Sequence, residues 1–439
     1  MVSMIDVDYE ASVGHGVGGH MPVFLNDVLN HRYIVRGKLG VGKYSVVWRC
    51  YDQSSMVDVA IKVGRCGPSY NEASEYEASV MRFIADPSSD GSRSGLLDMF
   101  NVDGTFGRHV CIVMELRGPS LAWVLELCQI HDQMLPLHVV TPWIAQLAAD
   151  LESLHAMGYI HSDIKADNIL LDRPLDGTFI AITDARQVGA RPESDVLLSM
   201  AMADRHGLSG SARKKNAKRI ARLLKTQRRR DTSKLFIQAD RFVMSDFVKD
   251  LGERRAVLAD LSNVIREADV REHDSEFQSR EYRSPEVLLG LPFTTDADIW
   301  SLGCLIFEMV TTDTLFQPKS SATWTKDDDH VAQIVELMGP PSAAMIEAHL
   351  DNASAGHLRA IFKETFARPL GSDASSPLRR IKNLKPWPLK DVLMNKYHMS
   401  DFDSSIVVDL MSYALRWSTR DRSLEGLRIV AQAYAEGLN

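Results

Sequence analysis

A stretch of twelve residues, IHSDIKADNILL at positions 160–171, constrains the fold of this chain more than any other. It places a carboxylate, an ammonium group and a side-chain amide within six positions, at Asp163, Lys165 and Asn168. The carboxylate can accept a hydroxyl proton, the ammonium group can neutralise a phosphate, and the amide oxygen can bind a hard cation. Because phosphoryl transfer depends mostly on positioning and charge stabilisation, these three groups suit that reaction.

The same stretch could instead be a solvated polar loop between a helix and a buried strand. A match to a short motif is a hypothesis until its context agrees. The phosphoryl-transfer interpretation therefore requires four more features elsewhere in the chain. These are a glycine-rich loop, a lysine on a strand, a glutamate on a helix and a metal-binding aspartate.

The distribution of charge says more than its sum. The chain has 439 residues, 45% of them hydrophobic, which is enough for a two-lobed globular core. Residues 204–234 carry twelve Lys/Arg and two Asp, so this segment has a charge of +10 and leaves −18 on the rest of a chain whose total is −8. An acidic body favours basic partners and argues against a direct nucleic-acid surface on the folded part.

Cysteine usage and hydropathy indicate the compartment. The five cysteines form no CxxC pair, which predicts a reduced compartment and no zinc site. The N-terminus, MVSMIDVDYE, lacks a basic region followed by an apolar run, so no secretory signal is expected. The longest apolar-rich stretch, residues 299–310, is far shorter than the ~20 residues of a membrane span. We expect a soluble intracellular protein without a membrane partner.

Hydrophobic periodicity predicts mostly strands in the first quarter of the chain. Apolar and polar residues alternate on both sides of a glycine turn in residues 33–52, which is typical of a hairpin. Residues 57–63 and 110–116 are predicted as further strands. Helical spacing predicts a helix over residues 71–84, and a polar composition predicts a loop over residues 91–107.

Helical patterns dominate after this region. Thr141 as cap and Pro142 in the first turn predict a helix over residues 141–157. We therefore predict an α+β fold with a small β-rich lobe and a larger helical lobe. The predicted parts are an arm over 1–30, a β-rich lobe over 31–117, and a helical lobe over 118–439 that is interrupted by an insert at about 173–256.

The insert contains the basic run RKKNAKRIARLLKTQRRR. It is predicted to be an insertion rather than core, although Ile220, Leu223 and Leu224 could form one amphipathic helical face. Three interpretations remain open: a disordered solvated loop, a bipartite nuclear-localisation signal, and an internal competitor that docks on the acidic body of the same chain. The second interpretation leads us to expect both cytoplasmic and nuclear localisation.

The glycine-rich stretch around Gly40 and Gly42 has two interpretations. A dinucleotide fold would need a helix directly after the glycines. Residues 45–48 instead alternate and include β-branched side chains, so they continue a strand, and the loop is predicted to fold over nucleotide phosphates. A purely structural hairpin remains the alternative. Ser45 stands where a third glycine would be expected and should stiffen the loop.

A lysine on the next strand and a glutamate on the next helix supply two further features. Lys62 ends the sequence VAIK, although an exposed strand lysine is the simpler interpretation. The helix offers Glu72, Glu75 and Glu77. We choose Glu77, because Glu72 comes too early and Glu75 points about 200° away from Glu77 at helical pitch. The pair would hold Lys62 on the α- and β-phosphates.

Asp260, in the sequence LADLS, supplies the metal-binding carboxylate. An isolated aspartate is usually a turn residue, but SPE at residues 284–286 follows twenty-four positions later, as expected of an activation segment. Ser262 stands where glycine would leave the backbone free, which bears on the switching of the segment. Asp298 opens an apolar helix and can brace the catalytic loop, and Arg422 is the candidate buried partner of Glu286.

These motifs, in this order, resemble protein kinases. The resemblance implies that ATP and Mg²⁺ are the cofactors. Asp163 would accept the hydroxyl proton, Lys165 would stabilise the γ-phosphate, and Asn168 with Asp260 would bind Mg²⁺. It also implies an adenine site lined by Leu39, Gly40, Gly42, Val47, Ala60 and the hinge residues Met114, Glu115 and Arg117.

Longer motifs are similar to those of one kinase family, the SR-protein kinases of the CMGC group. They are GHMPV at residues 19–23, LGVGKYSVVW, HSDIKADNILL, QSREYRSPEVLLG, DADIWSLGC, WTKDDDHVAQIVELMG and LKPWPL. This family phosphorylates serines in Arg-Ser-rich segments and binds them in an acidic groove. By motif, the groove would be lined by Asp313, Asp329 and Glu336, with Lys396 nearby. A solvated charged helix face is the alternative.

The resemblance has further consequences and departures. Arg280 and Arg283 would shape the floor beside the acceptor residue, and Ser275 and Ser279 are possible phosphosites. We expect a monomer. The DLS triplet and the absence of a terminal HPW-type ending depart from the family pattern. A CMGC kinase of broader basic-directed specificity, and a pseudokinase scaffold that binds basic proteins, are the alternative functions.

Overall fold

The computed structural model describes residues 19–84, 95–104, 107–175, 244–270, 277–342, 365–366 and 378–438. Its described residues form two compact units. The first contains the described residues up to Gly118 together with residues 173–175 and 244–247, and the second contains the others. No helix in the described part of the chain is long and apolar enough to cross a membrane. The predicted α+β class, with a β-rich unit and a helical unit, is confirmed.

The first unit is built on an antiparallel sheet. Its described strands are β1 (Val28–Leu29), β2 (Tyr33–Val41), β3 (Ser45–Asp52), β4 (Val57–Gly64), β5 (Leu96–Gly104) and β6 (Gly107–Glu115), in the spatial order β1-β2-β3-β4-β6-β5. One helix, α1 (Pro68–Ile84), follows β4. The predicted hairpin over residues 33–52 is therefore present as β2 and β3.

Strand alternation explains how this sheet forms a core. In β4 the odd-numbered Val59, Ile61 and Val63 are almost fully buried and belong to one apolar cluster. The even-numbered Ala60 and Lys62 point to the opposite face, because successive strand residues alternate. The sheet thus uses one face for its core and leaves the other face to carry Lys62.

Two predictions for this unit need correction. Residues 91–107 are not one polar loop, because β5 occupies much of that range and pairs with β6. Its Phe100 stacks on Tyr33 with ring centroids 5.5 Å apart, a contact that a local polarity pattern does not reveal. Part of the predicted arm is also core, since Val23 is 1% exposed and the Cys66 amide donates to the Gly19 carbonyl at 3.0 Å.

The second unit is mainly helical, although the first four residues of α4, 244–247, belong to the first unit. The described helices from Leu121 onward are α2 (Leu121–Ile130), α3 (Leu137–Ala156), α4 (Met244–Gly252), α5 (Pro285–Leu288), α6 (Asp296–Thr311), α7 (Lys326–Met338), α8 (Leu389–Lys396), α9 (Asp401–Ser412) and α10 (Leu424–Leu438). Helix α10 packs along α3, where Arg428 Nε donates to Glu152 Oε2 at 2.8 Å. At Gly303 of α6, a Cβ would lie 2.8 Å from side-chain atoms of Ala414 and Leu415, so this close packing requires glycine.

Two short strand pairs in the second unit hold the loops of interest. Strand β7 (Tyr159–Ile160) pairs with β10 (Ile265–Arg266), and β8 (Ile169–Leu171) pairs with β9 (Ala256–Leu258). The stretch 160–171 therefore begins and ends on strands that pair with residues 256–266, at and after the end of the predicted insert.

Helix α3 begins one turn earlier than predicted. Thr141 is not its cap but an internal residue whose hydroxyl donates to the Leu137 carbonyl at 2.9 Å. Pro142 lies inside the helix, where it removes one backbone donor. The apolar residues before Thr141 outweigh that loss, because Val139 and Val140 are almost completely buried.

The last part of the predicted insert is regular structure. It contains α4 and the start of β9, and Arg254 is 5% exposed. The Trp143 indole donates to the Arg254 carbonyl at 2.9 Å, and Arg254 Nε pairs with Asp250 at 2.5 Å. The basic run of the insert lies outside the described residues, as does Ser275.

Candidate active site

Asp163 is the centre of a hydrogen-bond network in the second unit. Its Oδ2 accepts from Lys165 Nζ at 2.7 Å and from Asn168 Nδ2 at 3.1 Å. Its Oδ1 accepts from the Ser279 hydroxyl at 2.7 Å, and Lys165 Nζ lies 3.3 Å from that hydroxyl oxygen. The carboxylate is thereby held in one orientation with a cation beside it, which suits a group that must align a hydroxyl and take its proton.

The backbone before Asp163 is held by a buried carboxylate. Asp298, at the start of α6, accepts from the amides of His161 at 2.7 Å and Ser162 at 2.9 Å. Ser162 has φ 70°, which is unfavourable for a residue with a side chain, so these two bonds fix a strained turn. His155 Nε2 lies 2.9 Å from the same carboxylate. The bracing role predicted for Asp298 matches this geometry.

Asn263, the residue directly after the DLS triplet, contacts the same turn. The Ser162 hydroxyl donates to the Asn263 carbonyl at 2.6 Å, and Asn263 Nδ2 lies 3.4 Å from Asp163 Oδ2. Positive φ falls on Asp260, at 61°, and not on Ser262, which lies in a 3₁₀ turn. Ser262 therefore occupies an ordinary backbone conformation, and the absence of glycine there imposes no strain.

Asn168 and Asp260 are brought together by strand pairing. Ile169 of β8 is the register partner of Leu258 of β9, and the Ala259 amide donates to the Asn168 carbonyl at 2.9 Å. The side-chain nitrogen of Asn168, Nδ2, also donates to the Asp163 carbonyl at 2.8 Å, which leaves the side-chain oxygen of Asn168 as the available acceptor. Within the described residues no three His, Cys, Asp or Glu side chains form a metal cluster. Two oxygen ligands fit Mg²⁺, which usually takes its other ligands from phosphates and water.

Ser279 is the main functional residue whose role the sequence missed. The sequence predicts it only as a possible phosphosite, yet its hydroxyl bridges Asp163 and Lys165. The segment around it is anchored by buried Gln278, whose Nε2 donates to the Ala297 carbonyl at 2.8 Å and whose Oε1 accepts from the Ser284 amide at 2.9 Å. The 116 positions between Asp163 and Ser279 leave no local signal for this contact.

The predicted Glu286–Arg422 pair is present. It is bidentate, with Arg422 Nη1 2.6 Å from Glu286 Oε1 and Nη2 2.8 Å from Oε2. Both side chains are almost fully buried, and Arg422 also donates to the carbonyls of Asp296 and Arg416. This pair ties α5 to the start of α6 and to the turn before α10. Arg283, which is predicted to shape the floor beside the acceptor residue, donates to the Gln278 carbonyl at 3.0 Å.

In the first unit, Lys62 Nζ lies 2.7 Å from Glu77 Oε1, as the choice of glutamate predicted. Glu77 is 3% exposed, whereas Glu75 pairs with Arg108 at 2.9 Å. The buried carboxylate of Glu77 pairs with the Lys62 ammonium group and fixes its direction. Glu77 is therefore the buried partner of Lys62, while Glu75 forms an exposed pair with Arg108.

One face of the sheet gathers the predicted adenine residues around Lys62. Val47 is the register partner of Gly40 on one side and of Lys62 on the other, and Ala60 is the partner of Met114. Register partners share a face, so Val47, Ala60 and Met114 form an apolar patch beside Lys62, and the ion pair of Arg49 with Asp58 lies on the same face. Leu39 is 40% exposed at the end of β2. Between β2 and β3, the Gly42 amide donates to the Ser45 carbonyl at 2.8 Å.

The predicted hinge residues follow β6. The Glu115 amide donates to the Gly95 carbonyl at 2.8 Å, so that donor is used within the protein. Its carboxylate pairs with Arg117 Nη2 at 2.8 Å. The adenine-binding role of these residues stays a prediction.

The predicted docking residues form two groups in the second unit. Asp313 accepts from Tyr397 OH at 2.8 Å and pairs with Lys396 at 3.3 Å. On α7, Asp329 Oδ2 accepts from the Lys319 amide and Glu336 Oε1 accepts from the Lys385 amide, each at 2.8 Å. The other oxygen of Asp329 and of Glu336 has no partner among the described residues.

Glu308 of α6 is a half-buried carboxyl that the sequence did not single out. Burial raises its pKa to about 7; the Tyr282 hydroxyl, which hydrogen-bonds to it, opposes this rise, and the nearby carboxylates of Asp167, Glu281 and Asp313 add to it. Among the described residues it is therefore a group whose charge changes near neutral pH.

Comparison with known proteins agrees with this geometry. The protein kinase domain model matches residues 33–190 and 257–423, so its gap falls within the predicted insert. The chain is 29% identical to protein kinase dsk1 of Schizosaccharomyces pombe, over 97% of this chain and 85% of that protein. It is 30% identical to serine/threonine-protein kinase SRPK of Physarum polycephalum, over 93% and 88%. It is 28% identical to SRSF protein kinase 3 of Homo sapiens, over 89% and 84%.

Proposed function

The chain belongs to the SR-protein kinase family, and we propose that it transfers the γ-phosphoryl group of ATP to serines in Arg-Ser-rich protein segments. The observation that carries the proposal is the network at Asp163, where a carboxylate, a lysine and an amide are fixed together. The alternative of a pseudokinase scaffold without turnover has no support in this network. The alternative of a kinase with broader basic-directed specificity has no support in it either.

In the proposed mechanism Asp163 orients the acceptor serine. The serine hydroxyl donates to the carboxylate of Asp163 and gives up its proton late in the transfer. Lys165, 2.7 Å from that carboxylate, stabilises the charge on the γ-phosphate as the bond to the β-phosphate breaks. Ser279 keeps the carboxylate aligned with the incoming hydroxyl.

The remaining residues bind the nucleotide. Lys62, held by Glu77, contacts the α- and β-phosphates. Asn168 and Asp260 would hold Mg²⁺, which, when bound, neutralises phosphate charge and favours departure of ADP. The apolar side chains of Val47, Ala60 and Met114 would receive the adenine ring.

The acceptor protein would bind through its arginines. Asp329 and Glu336 are seven positions apart on α7 and therefore share a helix face. The oxygen that each leaves without a partner can accept from a guanidinium group. Exposed pairs of this kind contribute roughly 0.2–1 kcal/mol each, so several are needed for docking. Asp313 would add a further carboxylate. We further propose that the protein is a monomer and that it works in the reduced compartments of the cytoplasm and nucleus.

The substitution Asp163→Ala tests the mechanism. It should lower phosphoryl transfer by at least about a thousandfold while ATP binding changes little, because the carboxylate acts on the acceptor hydroxyl and not on the nucleotide. Transfer is measured with radiolabelled ATP, and binding is measured by calorimetry. Substantial turnover by the variant would contradict the role of Asp163, and loss of ATP binding would show that its role is structural.

A further inference from the structure

Two neighbouring residues in the segment after Gln278 connect different parts of the second unit. The Ser279 hydroxyl donates to Asp163 Oδ1, while the guanidinium group of Arg280 pairs with Asp327 in the first turn of α7. The amides of Tyr282 and Arg283 close a tight turn on the carbonyls of Ser279 and Arg280, at 3.0 and 3.3 Å. Ser279 and Arg280 therefore belong to one short turn.

The turn is anchored at both ends and at Tyr282, whose carbonyl accepts from the Ser301 hydroxyl at 2.8 Å. Gln278 is anchored to α6 through the Ala297 carbonyl and the Ser301 hydroxyl, and the Ser284 amide is anchored to Gln278. Between these anchors, the pair with Asp327 fixes the side chain of Arg280. Asp327 thus acts on the position of Ser279 through the adjacent residue.

Helix α7 presents Asp327 on a different face from the predicted docking carboxylates. His330 follows three positions later, is fully buried, and packs against Phe316 with ring centroids 5.0 Å apart. Burial, together with the positive charges of Arg280 and Arg283, lowers the pKa of His330 to about 3. Asp329, in contrast, is rotated about 200° from Asp327. The face with Asp327 is turned toward the turn that contains Ser279 and Arg280.

The other acidic side chains of this first turn have different tasks. Asp328 accepts from the Thr325 amide and pairs with Arg380 at 2.8 Å. Asp329 accepts from the Lys319 amide and from Gln333. Asp327 is the member of this triplet that reaches the segment next to the catalytic base.

From these contacts we infer that Asp327 and Arg280 are positioning residues, whose ion pair holds Ser279 against Asp163 and so supports the rate of transfer rather than substrate docking. This inference deepens the proposed function and rests on it. Asp327 touches no reacting atom, and its effect is transmitted through Arg280 and Ser279.

A double-mutant cycle separates positioning from docking. The variants are Arg280→Ala, Asp327→Ala and the double substitution, assayed with an Arg-Ser peptide. Each should lower kcat by the same factor, roughly threefold to tenfold, with little change in KM, and the double variant should be no worse than either single variant. Asp329→Ala should instead raise KM. Asp401→Ala, which removes the exposed pair with Lys390, should change neither constant.

Hydrogen exchange of the Tyr282 and Arg283 amides tests, without any substrate, whether the Arg280–Asp327 pair holds the turn in place. Exchange should accelerate equally in the three variants and stay unchanged in Asp401→Ala. Unchanged exchange, additive losses of kcat, or a rise in KM alone for Asp327→Ala would each overturn the inference. If the wild-type protein labelled no Arg-Ser peptide while exchange behaved as expected, the proposed function would fail and the positioning pair would stand.

Discussion

At the scale of single residues, Ser279 has the most consequential contact that the sequence did not predict. Its hydroxyl donates to Asp163 Oδ1 and lies 3.3 Å from Lys165 Nζ. We expect Ser279→Ala to lower kcat by about tenfold, because the carboxylate loses a hydrogen bond of roughly 1.5 kcal/mol. Ser279→Thr should retain most activity, since it keeps the hydroxyl.

Steady-state kinetics on an Arg-Ser peptide measure this effect, and Ser405→Ala on α9 is the control. Equal losses for the alanine and threonine variants would contradict the contact. So would full activity of a preparation in which mass spectrometry finds Ser279 completely phosphorylated, because phosphorylation replaces the donor that Asp163 uses.

Glu308 gives a prediction on pH. Its folded pKa of about 7 lies above the ordinary value, so the folded state holds this proton more tightly than the unfolded state. The stabilisation is complete below about pH 4.5 and is lost as pH rises through about 7. We therefore expect the unfolding free energy of Glu308→Gln, relative to that of the wild type, to rise by roughly 2 kcal/mol as the pH increases from 5 to 8.

Urea unfolding of the two proteins across that range measures the difference, in which the titrations shared by both proteins cancel. Tyr282, Asp167, Glu281 and Asp313 are the titratable groups that act on Glu308. A difference between the two proteins that does not change with pH would contradict the elevated pKa.

At the scale of elements, the Glu286–Arg422 pair joins α5, α6 and the turn before α10. Breaking a buried pair leaves an unpaired charge, so Arg422→Met should cost about 3–5 kcal/mol of unfolding free energy. Urea unfolding at neutral pH measures the loss. Asp401→Ala, at an exposed ion pair in the same unit, should cost less than about 1 kcal/mol. Similar losses for the two variants would show that the buried pair is not a major link.

Sequence patterns predicted elements well where the pattern was local or where a motif carried both residues, as for the Glu286–Arg422 pair across 136 positions. The hairpin of β2 and β3 follows from alternation around glycines, and the Lys62–Glu77 and Glu286–Arg422 pairs follow from motifs at fixed positions. Strand β5 was missed, because its residues are mixed in polarity and it is held by contacts such as Phe100 with Tyr33. The start of α3 was misplaced because tertiary burial of Val139 and Val140 outweighs the helix-breaking effect of Pro142.

Contacts across the chain explain what the motifs could not predict. Asn263 reaches Asp163 over 100 positions, and Arg280 reaches Asp327 over 47. Such contacts depend on how α6, α7 and the strand pairs pack, and no spacing rule encodes that. The chemistry at Asp163 was therefore predictable, while the residues that hold it in place were not.

At the scale of the whole molecule, the negative charge of the chain favours a substrate that is rich in arginine. Outside residues 204–234 the chain carries a formal charge of −18, so its surface should attract arginine-rich segments over distances of about 8 Å at physiological salt. The carboxylates of Asp329 and Glu336 on α7 would give this attraction a location. Acceptor preference is thus a property of the whole molecule as well as of the reacting groups.

The most direct test measures transfer of radiolabelled γ-phosphate from ATP–Mg²⁺ to an Arg-Ser repeat peptide. Lys-Ser and Ser-Pro peptides are the controls, and Asp163→Ala is the blank. Strong labelling of the Arg-Ser peptide, with much weaker labelling of both controls and none in the blank, is the predicted result. Equal labelling of all three peptides, or no labelling while ATP still binds, would contradict the account.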